Sequence, residues 1–195
     1  MKILQKIKNQ DSQIAVMKIY ESLNQLVKLS EIQNISKFKT ERRKKEILST
    51  KLLLNKILPN ATISYNKYGA PCIENDNFIS ISHSIKFVAI IISKFRVGID
   101  IEKITKKPLR LSSKFIANSQ HFPLSEEKAT LIWCCKEAVY KWHQKRKINF
   151  ITDIQILPFS IKKEGKLIAK FKNQKLTLHY KKIDDHFLVY VCNKN

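Results

Sequence analysis

Residues 96–102 read RVGIDIE, and this short run limits the fold more than any other part of the chain. Strict alternation puts Val97, Ile99 and Ile101 on one face of a strand and Gly98, Asp100 and Glu102 on the other. The first face needs apolar cover. The second crowds two carboxylates into a few ångströms, which is costly unless a cation or a lysine neutralises them. Hard oxygen donors of this kind suit Mg2+, which also takes phosphate oxygens of a substrate. Gly98 is expected to leave room beside them for a ligand. A lone DxE strand is usually an ordinary charged surface, so a second element has to strengthen the case.

That element is a helix predicted from about Ser125 to about His143, with Glu126 and Glu127 in its positively poised first turn. Leu131, Cys135, Ala138 and Trp142 share one stripe, with Ile132 and Val139 at its edge, and this is the core-facing side. Trp133, Glu137 and Lys141 lie at i, i+4 and i+8 on roughly the opposite side. An aromatic lined up with an acid and a base off the core stripe is expected to meet another part of the chain or a ligand. Upstream, ISISHS ends a strand at Ser82 and His83. Alternation groups His83 with Ile79 and Ile81, either as a satisfied core histidine or as an imidazole beside a phosphate.

Further strands are expected at 13–20, 78–83, 86–93, 152–157, 166–171, 175–181 and 186–192. Helices are expected at 21–29, at 41–58 before Pro59, and near 110–117 after a break at Pro108. YNKYGAP is a turn built on Gly69 and Pro71. The order is mixed rather than alternating, so the class is α+β.

A hydrophobic fraction of 44% over 195 residues allows a real core, and no apolar run is long enough to span a bilayer. MKILQKIKNQ never develops a signal-peptide core, which points to the cytoplasm. Cys72, Cys134, Cys135 and Cys192 form no CxxC pair and read as reduced thiols. Lys and Arg number 37 against 16 Asp and Glu, a net charge of +21 that favours nucleic acid, an acidic protein or a multiply phosphorylated ligand. Lysine greatly outnumbers arginine, as AT-rich coding alone would produce, so charge does not choose among these.

Read in order, ISISHS, VGIDIE and WCCKEAVYK resemble the motifs of the 4′-phosphopantetheinyl transferase superfamily: a SHS strand end, a (V/I)G(I/V)D(I/V)E strand and a W-x-x-KE-(A/S)-x-x-K helix. YNKYGAP resembles the family's GKP turn, and the basic helix 41–58 resembles one that contacts the ADP end of coenzyme A. The resemblance runs over roughly residues 13–160 and fits the larger single-chain, Sfp-like branch.

The resemblance implies an α+β pseudo-dimer of two similar halves with the active site between them. Residues 1–96 would bind coenzyme A, and residues 97–195 would carry the metal site and the KE helix. Asp100, Glu102 and Glu137 match Mg2+ ligands, with Glu137 or a metal-bound water as the base. Lys141 matches the lysine at the pyrophosphate or leaving group, and Ser82 and His83 the pair on coenzyme A phosphates. Lys136 belongs to the same motif and is expected among the coenzyme A contacts, and Arg43, Lys44 and Lys45 are expected at the 3′-phosphate. The implied reaction moves 4′-phosphopantetheine from coenzyme A to a serine of an apo acyl or peptidyl carrier protein, typically acidic, releasing 3′,5′-ADP. A monomer acting without membrane or nucleic acid is expected. Two positions depart from the pattern: Ala70 stands where the family often has lysine, and Gln120 where an acidic residue is common. A metal-dependent nuclease would also explain carboxylates on a basic protein, but not Ser82-His83 or the Trp133 motif. A nucleic-acid-binding module would interleave aromatics with basic residues on an exposed platform, whereas the aromatics here mostly fall in apolar strands.

Overall fold

In the computed structural model, which describes residues 2–8, 11–30, 32, 35–74, 76–117 and 121–193, the alternating segments pair into two sheets. The first holds β1 (Lys2–Lys8), β2 (Ser12–Lys18), β3 (Ser64–Tyr65), β4 (Pro71–Cys72), β5 (Phe78–Ser84) and β6 (Phe87–Ser93), in the order β1-β2-β6-β5-β4-β3. The second holds β7 (Arg96–Lys103), β8 (Ile154–Ile156), β9 (Glu164–Phe171), β10 (Gln174–Ile183) and β11 (His186–Asn193), in the order β7-β11-β10-β9-β8. Every pairing is antiparallel. With helices α1 (Leu23–Ser30), α2 (Glu41–Ile57), α3 (Lys106–Arg110) and α4 (Glu126–His143), the class is α+β.

The period-two pattern sorts the side chains into layers. In β2 and β6, Ala15, Met17, Val88, Ile90 and Ile92 face α2, where Leu53, Leu54 and Ile57 meet them. The alternate residues Ile14, Val16, Phe87, Ala89 and Ile91 face the second sheet and pack on Val97, Ile99, Ile101 and Leu188. The far face of that sheet, including Phe187, Val189 and Val191, is covered by Leu131, Cys135, Ala138 and Trp142 of α4. The molecule is therefore a helix, two sheets and a helix in succession, with β7 between the two halves of the chain.

Helix ends follow their caps. Thr40 accepts from Arg43 N–H at 3.2 Å to start α2, and Ser125 accepts from Lys128 N–H at 3.1 Å to start α4. Two expectations change. Pro108 does not break a helix but sits in the first turn of α3, where its missing N–H costs no hydrogen bond, and a 3-10 turn Ser112–Lys114 follows. β1 was not anticipated because its lysines hide the alternation. It is an edge strand on which Leu4, Lys6 and Lys8 are exposed, and edge lysines are common there. Among the described residues no helix is long and apolar enough to cross a membrane.

Candidate active site

β7 and α4 meet closely, and Gly98 is the reason. A Cβ at Gly98 would lie 1.9 Å from the Ala138 carbonyl oxygen and 2.7 Å from the Trp142 nitrogen. The space expected for a ligand is thus filled by helix backbone, which a side chain would push away. This contact draws Glu137 and Lys141 of α4 toward Asp100 and Glu102 of β7.

Asp100 is 3% exposed and lies at the centre of the cluster. Lys141 Nζ donates to Asp100 Oδ1 at 2.6 Å and to Ser82 Oγ at 2.9 Å, and the Ser82 hydroxyl donates to the same Oδ1 at 2.7 Å. Among the described residues, Asp100 Oδ2 is buried and has no hydrogen-bond partner. Burial disfavours the Lys141 ammonium, but the charge and hydrogen bond of Asp100, with Glu137 behind them, outweigh it and raise its pKa.

Glu102 Oε1 accepts from Trp133 Nε1 at 3.2 Å, so the aromatic on the α4 face orients a carboxylate. Phe115 and Phe150 hold the indole, at centroid distances of 5.1 and 5.5 Å. Burial, then the charge of Asp100, push Glu102 up to about 7, against the pull of Trp133, Lys141 and Lys107. The same two causes push Glu137 up to about 7, with Glu102 adding to them and Lys141 opposing. Glu102 and Glu137 thus both feel the charge of Asp100, and Lys141, paired with Asp100, only partly offsets it for them. Among the described residues, no three His, Cys, Asp or Glu side chains are already gathered at metal-holding spacing. The chemistry of the set still fits a hard divalent cation: oxygen donors only, an unpartnered oxygen on Asp100, and two carboxyls whose ionisation needs a counter-charge.

His83 faces α2, as alternation groups it with Ile79 and Ile81. Its Nε2 lies 2.7 Å from Thr50 Oγ1 and 3.1 Å from the Glu46 carbonyl oxygen. Burial, with Lys141 and Arg43 nearby, pushes it down to about 4 against the pull of Glu46. His83 lines a groove of about 500 Å³ with Lys37, Phe38, Arg43, Thr50 and Lys51. Arg43 also bonds Glu46 at 3.0 Å. Lys45 pairs with Glu41 at 3.2 Å, and neither Lys44 nor Lys45 is among the residues lining the groove. A second hollow of about 240 Å³ runs from Ala70 and Pro71 to Tyr140, Lys141 and Lys145. Lys145 lines it together with Ala70 and brings a cation to it. A third, of about 610 Å³, lies beside Glu102 and Trp133 and carries Lys103, Lys107 and Lys114.

Lys136, expected with the phosphates, is instead 4% exposed and donates to the backbone carbonyls of Phe150 and Ile154. Burial lowers its pKa to about 8. It braces the segment that carries Phe150 behind Trp133. Gln120 lies outside the described residues. Sequence reasoning passed over Ser80 and Thr50. Ser80 accepts from Ile99 N–H at 3.1 Å, and its signal was a serine two positions before Ser82 in an otherwise apolar strand. Thr50 had no signal beyond its place in a helix.

Residues 96–192 match the family described as the 4′-phosphopantetheinyl transferase superfamily. The chain is also 30% identical over 106 residues to "4'-phosphopantetheinyl transferase gsp" of Aneurinibacillus migulanus, a match covering 49% of this chain and 45% of that protein. The chain thus spans about half the length of the curated relative it matches. The family match contains the whole of β7 and α4, and with them Asp100, Glu102, Glu137 and Lys141. Through residues 96–192, the chain belongs to the 4′-phosphopantetheinyl transferase superfamily.

Proposed function

We propose that this protein transfers 4′-phosphopantetheine from coenzyme A to a serine hydroxyl of an apo acyl or peptidyl carrier protein and releases 3′,5′-ADP. The observation that carries the reading is the cluster in which Asp100, Glu102 and Glu137 act on one another's charge around Lys141, inside the stretch that matches the family. A divalent cation, Mg2+ by the chemistry of its donors, would be held by these three carboxylates and would offset charge on the pyrophosphate.

The residues of the chain divide the remaining work. The groove at His83, Arg43 and Lys51 takes the phosphorylated nucleoside end; a phosphate there would favour protonation of an imidazole that burial keeps neutral. Lys141 carries positive charge beside the leaving phosphate. Glu137, in the same cluster as Asp100 and Glu102, would accept the proton of the carrier's serine as its oxygen bonds to phosphorus and the bond to 3′,5′-ADP breaks. The net charge of +21 would speed the approach of an acidic carrier and lose that effect with salt.

The direct test mixes the protein, coenzyme A, Mg2+ and each of several apo carriers, and weighs the carriers by intact mass spectrometry. A phosphopantetheine adduct that disappears with chelator is expected. No adduct on any carrier, together with cutting of DNA or RNA by the same preparation, would replace this reading with a nuclease.

A further inference from the structure

The Ser82 hydroxyl makes as many hydrogen bonds as a hydroxyl can. Its proton goes to Asp100 Oδ1, and its oxygen accepts from Ile101 N–H at 3.3 Å and from Lys141 Nζ at 2.9 Å. It is 4% exposed. No donor remains for a substrate phosphate, so a role as phosphate contact does not fit its surroundings. What the hydroxyl does achieve is a fixed orientation of Asp100. Ser82 and Lys141 both bond Oδ1, which leaves Oδ2 as the oxygen with unused lone pairs.

We infer that Ser82 is a positioning residue for the metal: it holds Asp100 so that Oδ2, and not Oδ1, is presented to a divalent cation. This rests on the proposed metal role of Asp100. The geometry also gives the second hydroxyl of the strand a different place. Ser80 accepts from Ile99 N–H on the same strand edge of β7, with no hydrogen bond to Asp100. The two serines make the same kind of bond to β7, and one of them also sets a carboxylate. Partners of this kind that orient a metal ligand are worth about 10- to 100-fold in metal affinity.

The test compares Ser82→Ala and Ser80→Ala, each lacking one hydroxyl that caps β7. Mn2+ binding to the chain alone, without substrate, is measured by electron paramagnetic resonance, and stability by chemical denaturation. Ser82→Ala is expected to weaken Mn2+ about tenfold, with Ser80→Ala unchanged in affinity while both lose similar stability. In turnover, Ser82→Ala is expected to raise the metal concentration needed and lower kcat, with KM for coenzyme A unchanged. Ser82→Thr, which restores a hydroxyl, is expected to recover much of the Mn2+ affinity. Equal Mn2+ affinity in Ser82→Ala and wild type overturns the inference, as does equal weakening in both alanine variants, or a wild-type chain that binds no Mn2+. A raised KM for coenzyme A at unchanged Mn2+ affinity would return the hydroxyl to the phosphate and overturn it too. Failure of the transfer assay with the Mn2+ difference intact would remove the reaction and leave the positioning role standing.

Discussion

α2 and α4 each cover one face of a sheet, yet they do so differently. α2 buries one side, chiefly Leu48, Leu53, Leu54 and Ile57, and leaves Arg42 and Arg43 exposed at its start. α4 is buried on nearly every side, Ala129 and Thr130 through Trp142, and even Lys136 is inside. A helix with a free side can border a groove that admits a flexible, charged ligand. A helix gripped all round can hold carboxyls in a fixed place against their mutual repulsion. The contrast supports the proposed division of work, with binding on the α2 side and chemistry at the β7–α4 contact.

The sharpest way to break the contrast is at two of the three glycines. Gly98→Ala, which drives a methyl into the Ala138 carbonyl, should cost about 3 kcal/mol or more by chemical denaturation. Gly69→Ala, in the turn beside the hollow that also holds Tyr140 and Lys141, meets no atom within 4 Å and costs only the strain of its φ of +84°, about 1 kcal/mol. Comparable losses would mean that α4 is not gripped as described. Next, Lys136→Met leaves the Phe150 and Ile154 carbonyls without their donor and should cost about 2 kcal/mol. A Lys136→Met chain of wild-type stability whose KM for coenzyme A has risen would put the ammonium back among the phosphates.

Titration should separate the two regions by sign. Glu102 and Glu137 stand near 7 in the folded chain against an ordinary 4.5, so their contribution to stability is complete below about 4.5 and is lost as pH rises through about 7. His83, pushed down to about 4 from 6.5, contributes in the other sense: its share is present above about 6.5 and lost as pH falls toward 4. The double variant E102Q/E137Q, with no divalent ion present, should therefore lose less Tm than wild type between pH of about 5 and about 8. Mg2+ should raise the wild-type Tm more at the higher pH, because the ligands must be ionised. Parallel curves for the two proteins would place the carboxyls in water. The smallest effect belongs to the exposed side: Arg43→Ala should leave stability within about 0.5 kcal/mol while raising KM for coenzyme A about tenfold. An unchanged KM would remove Arg43 from the groove.

What could be read in advance followed from periodicity. Val97, Ile99 and Ile101 had to seek one core and Asp100 and Glu102 the other face, and the stripe through Leu131, Cys135, Ala138 and Trp142 had to pack. Trp133 was recognised as an aromatic off the stripe, but its partner Glu102 was not. What periodicity omits is any contact between distant segments. Gly98 read as an opening because the helix that fills it lies some forty residues along the chain. Lys136 precedes Glu137 in the motif, but its long side chain turns to carbonyls that no spacing rule places. The hydroxyls of Ser80 and Ser82 meet β7 only because two sheets stack. Pro108 was misread by treating every proline as a stop, whereas a first turn accepts one.

β7 is an edge strand of its sheet, and part of its edge is closed by the hydroxyls of Ser80 and Ser82 rather than by another strand. An unpaired strand edge invites a second copy to add to it, and protein sheets guard against that self-association. A fragment starting at residue 96 would uncover those amides and should form concentration-dependent aggregates. In the whole chain two small side chains prevent this, because they reach the amides without offering a backbone of their own to extend.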